Sequence, residues 1–141
     1  MKPRAFLAGA FVAVLSISGA FAQTTTYKID LKSSEEVPPN TSKGTGTAVV
    51  TYDPATRLLK WEVTYSGLTG PATMGHIHGP AEPGKNAPVV IPFARVDSPI
   101  EGSATLTDAQ AAELKAGTLY INIHTAENKG GEIRGQLTGG K

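Results

Sequence analysis

The strongest constraint on this chain is a strict period of two between Arg57 and Tyr65. Leu59, Trp61, Val63 and Tyr65 fall on one side there, and Lys60, Glu62 and Thr64 on the other. Successive side chains of a strand point to opposite faces of its sheet, so the pattern predicts a strand with one buried and one wet face. A wet face argues for an antiparallel sheet, because strands of parallel sheets are buried on both sides.

The same alternation recurs in short segments bounded by turn formers. Tyr27, Ile29 and Leu31 alternate with Lys28, Asp30 and Lys32, and Gly44 to Tyr52 reads as a second strand after the Val37-Pro38-Pro39-Asn40 break. Further strands are expected at Thr73 to Gly79, around Pro88 to Phe93, at Ile100 to Leu106, at Thr118 to Thr125 and at Glu132 to Thr138. Between the sixth and seventh, Thr107 to Gly117 has an N-cap candidate, good helix formers and a closing glycine, which predicts one short helix. The expected fold is all-β: a Greek-key β-sandwich or flattened barrel of about eight antiparallel strands with one short helix.

The N-terminal segment has a different character. Lys2 and Arg4 precede an apolar run from Ala5 to Ile17, and Ala20-Phe21-Ala22 fits the small-x-small pattern of signal cleavage. Residues 1–22 are therefore expected to be a signal peptide, with a single domain over 23–141 in a periplasmic or secreted protein. The apolar run falls short of the roughly 20 residues that a membrane span needs, so no span is expected after cleavage. Loss of Lys2 and Arg4 leaves 11 Lys and Arg against 12 Asp and Glu, which gives no basic face for nucleic acid. The chain has no cysteine, which excludes disulfides and thiolate metal sites.

All three histidines lie in two of the expected strands: His76 and His78 in Met74-Gly75-His76-Ile77-His78-Gly79, and His124 in Leu119-Tyr120-Ile121-Asn122-Ile123-His124. With Ile77, Ile121 and Ile123 facing the core, period two sends Met74, His76, His78, Tyr120, Asn122 and His124 to the outer face. Glu132, Arg134 and Gln136 join them by the same rule. Residues two apart on a strand are separated by about 6.5 Å at Cα, so a His-x-His pair and a third histidine from a neighbouring strand can reach one ion. Neutral imidazole suits zinc and copper, and Met74 adds a soft thioether that favours copper(I). The candidate metal ligands are thus His76, His78, His124 and Met74, for copper or zinc.

The same histidines could instead brace the two long Gly/Pro loops by bonding backbone carbonyls. The Gly79 to Pro88 loop could cover the site or be a plain connector. Glu132 could orient His124, or pair with Arg134 on a wet face. Glu35-Glu36, beside the Pro-Pro break, reads as a solvated loop. No nucleophile elbow, phosphate-binding loop or His-Glu-x-x-His helix is present.

Three motifs carry a family resemblance. They are Glu36-Val37-Pro38-Pro39 before a Gly-Thr-Gly strand, Gly75-His76-Ile77-His78-Gly79-Pro80-Ala81, and Leu119 to Thr125 leading into Gly131-Glu132-Ile133-Arg134-Gly135-Gln136. In this order, from about Tyr27 to Leu137, they resemble the CHRD domain, named after chordin, in its stand-alone bacterial form. The resemblance implies an extracytoplasmic all-β domain and brings no activity with it. Chordin itself carries the domain beside growth-factor-binding modules, but no cysteine-rich module occurs here, so no partner is implied. Three functions stay open: an exported metal-binding domain, a non-catalytic interaction or adhesion module, and a mononuclear copper redox enzyme of the superoxide-dismutase type. Three histidines are too few for a dinuclear site with a bridging imidazole.

Overall fold

A computed structural model describes residues 21–141 together with Ser16 and Gly19. The signal peptide expected over 1–22 lies almost wholly outside the described residues. Among the described residues no helix is long and apolar enough to cross a membrane.

Among the described residues eight strands form one sheet: β1 (Thr25–Lys32), β2 (Thr45–Asp53), β3 (Leu58–Ser66), β4 (Ala72–His78), β5 (Val89–Pro92), β6 (Ile100–Thr105), β7 (Tyr120–Thr125) and β8 (Ile133–Gln136). Their order is β5-β4-β7-β8-β1-β2-β3-β6, with every pairing antiparallel. The sheet curls into a nearly closed barrel around one apolar core. Trp61 of β3 stacks on Phe93, just beyond β5, with centroids 5.1 Å apart, so the two ends of the sheet meet across this aromatic pair. Gly102 faces Trp61 in the β3–β6 register, where an added Cβ would lie 2.5 Å from the indole; only a residue without a side chain leaves room for the ring.

The alternation that predicts the fold is the alternation of burial. Leu59, Trp61 and Val63 are buried while Lys60 and Glu62 are exposed, and Ile77, Ile121 and Ile123 are fully inside. Tyr65, expected in the core, is instead partly buried at its rim, where its hydroxyl donates to the Val96 carbonyl. Among the described residues the one α-helix, α1 (Asp108–Ala116), is capped by Thr107, whose hydroxyl accepts from the Gln110 N–H while the Gln110 side chain accepts from the Thr107 N–H. Gly117 closes it in the left-handed conformation, and Leu114 seats it on the barrel.

Candidate metal centre

The site sits on the outer face of the β4–β7 pair. The register places Met74 opposite His124, His76 opposite Asn122 and His78 opposite Tyr120. Directly opposed residues share a face, so all six point away from the core, as period two requires. Asn122 is therefore flanked by a histidine across the ladder, and by His124 two positions along its own strand.

This outer face is not wet. Every residue of β7 is buried, as are Glu132 and Arg134, because two loops fold back over it. The Arg134 guanidinium lies 3.4 Å from the Tyr120 ring centroid and donates to the Lys85 carbonyl at 2.7 Å and to Asn86 at 3.2 Å. Asn86 in turn donates to the Val37 carbonyl at 2.9 Å, which ties the Gly79 to Pro88 loop to the segment after β1. The loop is therefore a lid, and the wet face expected around β7 and β8 is corrected: the strand pattern was right and the solvent was displaced by chain.

Under that lid each strand histidine is held by at least one hydrogen bond. His78 Nδ1 is 2.9 Å from the Ala87 carbonyl oxygen, and His124 Nδ1 is 2.8 Å from that of Lys129. A carbonyl can only accept, so both Nδ1 atoms carry the proton and both Nε2 atoms of neutral rings carry the lone pair. The two Nε2 atoms point to one place, where Asn122 Oδ1 lies 2.9 Å from His78 and 3.0 Å from His124. His76 Nδ1 reaches His124 Nε2 at 3.0 Å. One ligand nitrogen from each of the three rings falls within 4.8 Å of the others. Tetrahedral ligands at 2.0–2.1 Å from zinc stand about 3.3 Å apart, so the cluster could hold a metal ion with small side-chain movements.

Electrostatics keep the rings ready to coordinate. Burial, then the His124 and His78 rings beside it, lowers the His76 pKa to about 4. Burial lowers that of His124 as well, against the opposing bond to Lys129. Both are thereby held neutral in the form that binds metal. Met74 is 46% exposed at the outer rim, across from His124.

The CHRD domain model matches residues 27–137. The chain belongs to the CHRD family. No curated protein and no solved structure matches it. The family match spans all eight strands except the first two residues of β1, so the histidine cluster lies within the CHRD domain itself.

Two carboxylates of this CHRD domain differ from the sequence reading. Glu132 neither orients His124 nor pairs with Arg134; it is fully buried and accepts from the Ser42 hydroxyl and from the Thr69 N–H and hydroxyl. Burial alone would raise its pKa, but these bonds and one from Thr125 outweigh it and the net direction is down. Glu36, read as part of a solvated loop, is only 4% exposed. Burial raises its pKa to about 7, against the lowering effect of the Arg134 charge and of the Asn122 amide and Val37 N–H beside it. One of its oxygens, Oε1, has no hydrogen-bond partner. Gly131 makes room for it: φ is +125°, and an added Cβ would lie 2.6 Å from the Glu36 carboxyl carbon and 2.7 Å from Asn122 Nδ2.

Proposed function

We propose that this CHRD protein is exported and binds a transition metal, copper or zinc, through His76, His78 and His124. The observation that carries the reading is the orientation of the rings. Two of them give their Nδ1–H to backbone carbonyls and aim their Nε2 lone pairs at one point, the arrangement by which metal-ligating histidines are usually fixed. Met74, on the same face opposite His124, would add a thioether, which favours copper(I) over zinc. Zinc sites with three protein ligands keep a position open.

A structural, metal-free reading has one observation in its favour. His78 and His124 each brace a loop by bonding a backbone carbonyl, that of Ala87 and that of Lys129. Metal analysis of protein purified without an affinity tag, followed by zinc and copper titration against a chelating indicator, separates the two. The metal reading expects about one ion per chain and a loss of affinity in His124→Ala. Stoichiometry near zero, or equal binding by His124→Ala and the unmodified protein, supports the structural role. A superoxide or peroxide assay on the copper-loaded protein then tests for redox activity.

A further inference from the structure

We infer that the buried carboxamide of Asn122 is a fourth, oxygen ligand of this centre, coordinating through Oδ1, and that Glu36 is the positioning residue that holds the amide by its NH2 group. The inference rests on the three-histidine reading and adds a ligand on its inner side, away from the Met74 rim.

Hydrogen-bond accounting leads to it. A neutral imidazole has one N–H, and in His78 and His124 the carbonyls of Ala87 and Lys129 claim it at Nδ1, so in that form the Nε2 atoms that face Asn122 are acceptors. The atom they face, Oδ1, is also an acceptor, at 2.9 and 3.0 Å. His76 Nδ1–H can satisfy the contact to His124, but no donor serves the two contacts to Asn122. Lone pairs facing one another at such distances repel unless a positive centre lies among them, and a cation bound by all of them turns the repulsion into coordination. The spacing suits one: the three short contacts are each within about 0.4 Å of the roughly 3.3 Å edge of a tetrahedral zinc site.

Glu36 supplies the second, independent observation. It comes from the segment after β1, far away in sequence, yet its carboxyl is buried against the Asn122 amide, and its Oε1 has no partner of its own. A carboxyl is a costly group to bury for packing alone. Its contact with the NH2 side of Asn122 makes the oxygen side turn towards the histidines, and Gly131 leaves both groups the space to meet. An amide fixed in this way presents a neutral oxygen to the ion, so the site keeps the charge of the metal.

Zinc and cobalt(II) titrations of the full mature chain test this, with affinities from chelator competition and the cobalt d–d spectrum as a second readout. Asn122→Leu, close in shape and without a donor atom, is expected to bind zinc at least tenfold more weakly and to change the cobalt spectrum. Asn122→Asp, which restores an oxygen at the same place, is expected to recover the affinity. Glu36→Gln should weaken zinc less than Asn122→Leu does. Zinc affinity within twofold of the unmodified protein and an unchanged cobalt spectrum in Asn122→Leu would overturn the inference. If in the same series His124→Ala loses zinc, the three-histidine reading stands without Asn122; if His124→Ala also binds normally, both fail. Should Asn122→Leu not fold, the 13C resonance of the Asn122 carboxamide carbon decides in the unmodified protein. A shift on zinc addition larger than those of the other asparagines supports coordination, and a resonance that does not move overturns it.

Discussion

Replacing Glu36 by glutamine should change how stability depends on pH, and the sign follows from burial. The carboxyl titrates at about 7 in the folded protein against a usual 4.5, so between those values the folded state holds a proton that the unfolded state has released. Stability linked to this group is complete below about pH 4.5 and is lost as pH rises through about 7. The displacement of about 2.5, at about 1.4 kcal/mol per pH unit, sets a ceiling of ~3 kcal/mol. Glutamine cannot ionise, so the variant escapes that loss.

The unmodified protein alone would hide the effect. His76 is displaced the other way, from 6.5 to about 4: the unfolded state binds its proton more readily, and stability rises with pH across that range. The two trends oppose each other over nearly the same window. Subtracting the variant from the unmodified protein isolates Glu36. Urea unfolding of both, with a chelator present to exclude metal, should give a difference that moves in favour of Glu36→Gln by about 1–3 kcal/mol between pH 4 and pH 8. A difference independent of pH would refute the burial argument. A change of opposite sign would show that Arg134 stabilises the carboxylate more than burial penalises it.

The other expectations concern the site, its cover and its export. With His76 and His124 both held below the ordinary histidine range, apparent zinc affinity should fall less than about tenfold from pH 6.5 to 5.5. Three ordinary imidazoles would lose more than a hundredfold over that unit, and a loss of that size in competition titrations would contradict the geometry. Gly131→Ala forces a Cβ against the Glu36 carboxyl and Asn122 at a positive φ, so it should destabilise by more than about 1 kcal/mol and weaken metal binding. A thermal melt and a zinc titration equal to those of the unmodified protein would argue against this packing. Arg134→Leu removes the bonds to Lys85 and Asn86 and the stack on Tyr120, at about 2 kcal/mol or more. It should speed proteolysis within the Gly79 to Pro88 loop, and an unchanged cleavage rate would show that the loop is held by other contacts. N-terminal sequencing of the exported protein should begin at Gln23; an intact Met1 on a cytosolic product would refute the signal assignment.

Most of the barrel was legible in the sequence because it is written locally. A strand needs only its own alternation to declare its inner face, as at Leu59, Trp61 and Val63, and a helix needs only its cap and its closing glycine, as at Thr107 and Gly117. The same local rule put His76, His78, His124 and Asn122 together on one side of β4 and β7. What it could not supply is the fate of that side. Polar residues alternating with Ile121 and Ile123 look the same whether they meet water or a returning loop.

The cover is made by contacts between distant, aperiodic segments: Asn86 with Val37, Asn40 with the Glu132 carbonyl, Arg134 with Lys85. None of those residues advertises its partner, and Glu36 beside two prolines has the local signature of a solvated turn. The cost of desolvating the outer face is met by hydrogen bonds that the loops bring with them, since Glu132 gains its donors from Ser42 and Thr69, and His78 its acceptor from Ala87. Around Asn122 this compensation fails. There, the contacts of two ring nitrogens with the amide oxygen lack a donor when the rings are neutral, and one carboxyl oxygen of Glu36 is left over. Buried acceptors that converge at one point, under loops that bring donors to Glu132 and an acceptor to His78, have the electrostatic form of a cation site.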